Sequence, residues 1–265
     1  MQLPIYQADA FTSSLFGGNP AALIPLQQWL ADDLLQSIAA ENNLAETAFT
    51  VPAVDGFELR WFTPTAEVPL CGHATLASAH LLWTELGYQS ELLRFFTKSG
   101  ELRVRRTGEL IQMDFPAQAP AEIPLGPEYR AALGVEPLRA LACAGNRDMM
   151  LLEFSDAAQV AALQPDMRAV AALPYRGVIC TAAGDGFDCD FVSRFFAPAI
   201  GIDEDPVTGS AHTLLTPFWA EKLDKPDLSA RQISPRGGEL ECELVGERVL
   251  MRGRAVTYLR GQISL

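Results

Sequence analysis

The sequence predicts an α+β protein made of two pseudo-symmetric half-barrels, each wrapped around a central apolar helix. Three observations predict it. The chain repeats itself once, each copy contains a helix with no polar face, and the length suits two cores. With 265 residues, 49% of them apolar, the chain can bury a large core and lies near the size at which one core divides into two.

The duplication shows as four stretches that match in order. Asp55-Gly56-Phe57-Glu58 matches Asp185-Gly186-Phe187-Asp188, and Arg60-Trp61-Phe62-Thr63-Pro64 matches Arg194-Phe195-Phe196-Ala197-Pro198. Gly72-His73-Ala74 matches Gly209-Ser210-Ala211, and Ser99-Gly100-Glu101-Leu102 matches Gly237-Gly238-Glu239-Leu240. The separation grows from 130 residues at Asp55/Asp185 to 138 at Gly100/Gly238, as it does when only loops lengthen.

Each copy reads as strand, proline-containing loop, apolar helix, then hairpin. In the first, Glu58–Phe62 is rich in aromatics and β-formers, and 74–86 is a helix of small and aliphatic residues closed by Gly87. A helix without a polar face cannot lie on a surface, so the strands of its own half must cover it. The second helix, 211–223, carries Pro217, which lacks an amide proton and disturbs its second turn. Hairpins follow, turning at Thr107-Gly108 and at Gly246. Ahead of the first unit, Trp29, Leu30, Leu34, Leu35 and Ile38 fall at helical spacing over 28–42, and 44–51 reads as a strand. Four prolines between Pro116 and Pro127 mark a crossover. The expected halves are therefore 1–117 and 118–265, with the last strand free to return to the first half.

Composition excludes several function classes. A net charge of −13 with no basic cluster repels a phosphate backbone, so nucleic-acid binding is not expected. The start Met1-Gln2-Leu3-Pro4 shows no basic-then-apolar pattern, and no long uncharged apolar run follows. The expectation is a cytoplasmic protein without membrane contact. The five cysteines, Cys71, Cys143, Cys180, Cys189 and Cys242, include no CxxC and read as reduced thiols. The three histidines, His73, His80 and His212, have no zinc-site spacing, so no metal is expected.

Chemistry is expected where the apolar helices begin. Pro69-Leu70-Cys71-Gly72-His73 opens one, and Asp205-Pro206-Val207-Thr208-Gly209-Ser210 opens the other. Helix N-termini leave backbone N–H groups unpaired and carry partial positive charge, and glycine permits close approach of a ligand. Such an end either caps itself or holds a carboxylate. If the halves face one another, the two ends surround a small carboxylic acid with His73, Asp205 and Ser210. His80 and His212 lie inside the apolar helices and read as core histidines. Glu46 sits among Leu44, Ala45, Ala48, Phe49 and Val51. Should that face be buried, its carboxyl is suited to proton transfer.

Several stretches together closely resemble the PhzF-like family of phenazine-biosynthesis proteins. They are Asp9-Ala10-Phe11, Phe16-Gly17-Gly18-Asn19-Pro20-Ala21, Asn43-Leu44-Ala45-Glu46-Thr47-Ala48-Phe49, Trp61-Phe62-Thr63-Pro64, Cys71-Gly72-His73-Ala74-Thr75-Leu76-Ala77, Glu204-Asp205-Pro206-Val207-Thr208-Gly209-Ser210-Ala211 and Arg236-Gly237-Gly238-Glu239. The resemblance implies a diaminopimelate-epimerase-like fold, usually a homodimer, working without metal or organic cofactor. It also implies that Glu46 is a general acid/base shuttling a proton between carbons of a ring carboxylic acid. By the same resemblance His73 and Asp205 orient and balance protons, while Ser210 and the N–H groups near Gly72 and Gly209 bind the substrate carboxylate.

The fold's epimerases and racemases place a cysteine immediately before each paired glycine, where this chain has Cys71 and Thr208. A threonine hydroxyl is too weak an acid to replace the second thiol. Three functions stay open on sequence: a one-base isomerase, a carboxylate-binding or scaffold protein without turnover, and an epimerase or racemase dependent on Cys71.

Overall fold

The computed structural model describes residues 1–143 and 148–265. Two units emerge, one comprising Met1–Asp114 with Arg252–Leu265 and the other Phe115–Met251. The first contains β1 (Gln2–Ala10), β2 (Asn19–Pro25), α1 (Asp32–Asn42), β3 (Glu46–Ala53), β4 (Gly56–Phe62), β5 (Glu67–Val68), α2 (Gly72–Thr84), β6 (Leu92–Thr97), β7 (Gly100–Thr107) and β8 (Leu110–Pro116). The second contains β9 (Ala121–Ile123), α3 (Pro127–Leu133), β10 (Arg139–Ala142), β11 (Met149–Glu153), α4 (Ala157–Ala162), α5 (Met167–Ala171), β12 (Gly177–Ala183), β13 (Phe191–Ala197), β14 (Ile202–Asp205), α6 (Gly209–Leu223), β15 (Asp227–Gln232), β16 (Gly238–Val245) and β17 (Arg248–Gly253). The closing strand, β18 (Ala255–Ser264), lies in the first unit and pairs antiparallel with β1.

The duplicated sequence becomes a duplicated topology. β2 runs parallel to β3, as β11 does to β12. β3 pairs antiparallel with β4, and β12 with β13. β4 then pairs antiparallel with β5 and parallel with β6, a branching that β13 repeats with β14 and β15. Antiparallel β6–β7 and β15–β16 complete the match. The parallel steps require crossovers: α1 lies between β2 and β3 and α2 between β4 and β6, while α4 with α5 lies between β11 and β12 and α6 between β13 and β15.

Each apolar helix is covered by strands of its own unit. α2 packs on β1, β2, β3 and β18, with Ala74, Leu76, Ala77, Ala79, Leu81 and Leu82 essentially inaccessible. His80, inside the helix, is partly exposed, its Nε2 3.0 Å from Thr257 Oγ1. α6 packs on β11, β15 and β16. Within it Trp219 stacks on Phe191 at 5.7 Å and donates through Nε1 to Thr181 Oγ1. Among the described residues no helix is long and apolar enough to cross a membrane.

Local chemistry explains where the boundaries depart from the sequence reading. α1 begins at Asp32 rather than residue 28, with Asp32 and Asp33 in its first turn, where negative charge complements the helix dipole. Trp29 and Leu30 precede it, yet pack against the same cluster as Leu35 and Ile38. Asn43 ends the helix in the left-handed region at φ 49°, which delays β3 to Glu46. Pro217 leaves α6 continuous. Its missing N–H frees the carbonyl of Thr213, which instead accepts from Gln118 N at 2.9 Å.

The turn into α6 is fixed by Gln232 at the end of β15, which is 1% exposed. Its Oε1 accepts from Thr208 N at 2.8 Å, and its Nε2 donates to Asp205 O at 2.7 Å and Thr208 Oγ1 at 3.1 Å. His212 lies one turn further on, wholly buried, with Nδ1 2.8 Å from Thr208 O. Desolvation lowers its pKa to about 4, so the ring is neutral and Nδ1–H donates to that carbonyl.

Two outcomes follow. Gln232→Leu removes partners from the Thr208 amide and the Asp205 carbonyl, and urea unfolding should show a loss of about 1–3 kcal/mol. For His212 the unfolded chain takes up a proton near pH 6.5 while the folded chain resists until about pH 4. Its stabilising contribution is therefore complete above pH 6.5 and is lost as pH falls toward 4. Unfolding free energies measured across that window should fall by up to about 3 kcal/mol more for wild type than for His212→Gln.

Candidate active site

Three of the residues expected from sequence meet in the first unit. Glu46 opens β3, His73 is the second residue of α2, and Cys71 is that helix's N-cap, with extended backbone and no side-chain capping bond. The parallel register of β2 on β3 sets Glu46 opposite Ala21, two residues beyond Asn19. His73 Nε2 lies 2.9 Å from Glu46 Oε2. On the other side of the ring, Nδ1 is 3.1 Å from Asn19 Nδ2 and 3.5 Å from Cys71 Sγ. All four residues are buried, Glu46 being the most accessible at 9%.

Burial works against a charged imidazole at His73, but negative charge on Cys71 and Glu46 outweighs it and holds the pKa well above the ordinary histidine value. The Cys71 thiol is pushed up to about 11, first by burial and then by Glu46. Asn19 suits either state of the ring. Its NH₂ donates to a neutral Nδ1, and the amide turned over accepts from Nδ1–H. A carboxylate that trades protons can therefore do so beside a partner whose own protonation is held by side chains on both edges.

Asp205, Gly209 and Ser210 stand together at the start of α6 in the second unit. Asp205 ends β14, and its Oδ2 accepts from Thr208 Oγ1 at 2.6 Å. Thr208 occupies at α6 the N-cap place that Cys71 holds at α2, again without a side-chain cap. Gly209 is buried and Ser210 exposed, while Gly72 is half-buried. Ser234 Oγ donates to Pro206 O at 2.9 Å, holding the same turn.

Sequence reasoning missed Asn19 and Gln232 as members of these networks. A signal for Asn19 was present in Gly18, which has φ +61° and where a Cβ would come 2.1 Å from Ala10 O. Only glycine fits there, and that turn delivers Asn19 to His73. Nothing local marks Gln232, whose partners lie 24 and 27 residues away.

The family model described as phenazine biosynthesis-like protein matches residues 8–261. An uncharacterized isomerase of Pseudomonas aeruginosa is 52% identical over 265 residues, with 100% of each chain covered. The crystal structure of a PhzF-family phenazine biosynthesis protein from Enterococcus faecalis has a TM-score of 0.96 at 45% identity, covering 100% of both chains. A probable proline racemase from Agrobacterium radiobacter, at TM-score 0.63 and 11% identity over 99% of this chain and 93% of its own, shares the fold alone. With the duplicated topology, the two glycine-led helix starts and these matches in hand, the chain belongs to the PhzF-like family of isomerases, built on the epimerase and racemase fold.

Proposed function

We propose that the chain is a cofactor-independent isomerase in which Glu46 moves one proton between two carbons of a small unsaturated or ring carboxylic acid. The observation that carries this reading is the buried Glu46–His73 pair, with Oε2 2.9 Å from Nε2 at the start of α2. The Glu46 carboxylate takes a proton from an acidic C–H, and the C–H electron pair passes into the conjugated system. The resulting carboxylic acid then returns that proton to a second carbon, so the bond pattern shifts and no net proton is consumed. Nε2–H of His73 holds the carboxylate in place and offsets its charge. Asp205 and Ser210 enter as substrate-orienting groups through the family resemblance, and the N–H groups at Gly72 and Gly209 as carboxylate binders. A cytoplasmic homodimer belongs to the same proposal.

Racemisation through two thiols is disfavoured on two counts. Thr208 stands where a second cysteine is needed, and the Cys71 thiol, pushed up to about 11, carries little thiolate at neutral pH.

Incubation in D₂O with a panel of small unsaturated and amino carboxylic acids, followed by NMR and mass spectrometry, tests the reading. Deuterium should enter a substrate C–H position with the wild-type protein and fall roughly 10²–10⁴-fold with Glu46→Gln, while Cys71→Ala retains exchange. Full exchange by Glu46→Gln would refute the proposal. Loss of exchange in Cys71→Ala with Glu46→Gln unaffected would restore the cysteine mechanism. Ligand-induced stabilisation with no exchange at all would make the chain a binding protein.

A further inference from the structure

At the start of α6 the hydrogen bonds admit one arrangement of protons. The atom of the Gln232 amide that faces Thr208 N is the oxygen, because a backbone N–H can only donate. The atom that faces the Asp205 carbonyl is the NH₂, because a carbonyl can only accept. Both ends therefore give the same amide orientation. The second NH₂ proton points to Thr208 Oγ1 at 3.1 Å. With that oxygen accepting from Gln232, the hydroxyl proton is directed at Asp205 Oδ2, 2.6 Å away.

That separation falls among O–H···O⁻ bonds, about 2.5–2.7 Å, and below the ~2.7–2.8 Å usual between neutral groups. A protonated Asp205 would donate to Oγ1 and leave the hydroxyl proton turned away from both partners, so the network matches an ionised carboxyl. Thr208 is itself held at every polar atom. Its N–H donates to Gln232, its carbonyl accepts from His212 Nδ1–H, and its hydroxyl lies between the amide and the carboxylate. Thr208 and Gln232 are buried, whereas Asp205 is half-buried, so the lock is shielded from water while the residue it holds stays within reach of a ligand.

We infer that Thr208 and Gln232 are positioning residues that keep Asp205 ionised and in one orientation, so that it serves the reaction as a fixed hydrogen-bond acceptor and not as a second acid/base. Gln232 aims the hydroxyl, the hydroxyl holds the carboxylate, and the proton that moves between carbons passes through Glu46 alone. The position that a two-thiol racemase gives to its second cysteine has become part of a clamp. The kinetic consequence rests on the proposed reaction and on Asp205 meeting the substrate, whereas the order of the protons rests on neither.

Nuclear magnetic resonance of protein carrying ¹⁵N in its glutamine side chains tests that order without substrate, the Gln232 signal being the one absent from Gln232→Leu. Its two NH₂ protons should keep their positions in Thr208→Ser. Thr208→Val should move the proton that faces Oγ1 and leave the proton on Asp205 O in place, and Thr208→Ala serves the same comparison if Thr208→Val does not fold. C–H exchange in D₂O, with an acid that the wild-type protein turns over, gives the second readout. Thr208→Val should lose about tenfold or more in kcat/KM, the size of one hydrogen bond to a charged group, and Thr208→Ser should restore it. Adding Thr208→Val to Asp205→Asn should lower exchange no further, since the hydroxyl acts through that carboxylate. An unmoved amide signal in Thr208→Val, full exchange by that variant, or losses that multiply in the double variant would overturn the positioning role. Full exchange by Glu46→Gln would instead count against the one-base reading and leave the positioning of Asp205 standing.

Discussion

The constraint on which the rest depends is that α2 and α6 have no polar face. A helix of this kind must be sheathed by strands along its length, and both are. Side chains along the middle of such a helix are mostly packed, and the polar ones among them, such as His212 and Trp219, hydrogen-bond inside the protein. A ligand is therefore met most readily at the ends, and at the N-terminal end the backbone already offers unpaired amides and positive potential. The candidate site residues accordingly collect at two glycine-led helix starts.

The two copies have used the same place differently. At the first, a thiol and a carboxylate flank an imidazole whose pKa is held above the ordinary histidine value by negative charge on Cys71 and Glu46. At the second, Thr208 turns its hydroxyl to Asp205 and its amide to Gln232, and the histidine one turn later is buried and neutral. One end is thus electrostatically loaded and the other is a hydrogen-bonded clamp. That division of labour is foreign to a symmetric pair of thiols.

Much of this was legible in the chain itself. The ordered repeats foretold the shared strand pairing, since a duplicated pattern of strand, helix and hairpin has to fold twice in the same way. The apolar runs named both central helices, and the glycine steps located their starts to within two residues. Glu46 stood out because a carboxylate among strand-forming apolar residues needs a reason. What stayed hidden depends on register between distant segments. Asn19 reaches His73 across 54 residues because α2 packs on β2, and Gln232 reaches back to Thr208 from the following strand. The proximity of Cys71 sulfur to both Glu46 and His73 likewise arises from tertiary folding, although Cys71 and His73 are near neighbours in sequence. The delayed starts of α1 and β3 turned on a pair of aspartates and one left-handed asparagine, features too local for hydrophobic periodicity to resolve.

Pro217 gives the second copy a property that the first lacks. The matching position in α2 is His80, which keeps its amide proton, whereas the proline breaks the ladder and hands the Thr213 carbonyl to Gln118. The side chains of those two residues meet as well, across 95 positions of sequence. A helix flaw has in this way become a mooring for the incoming chain. A fragment cut to isolate the second unit cannot begin after Gln118 without stranding a buried carbonyl in the middle of its central helix. A cut within the proline-rich stretch therefore has to leave Gln118 on the side of α6.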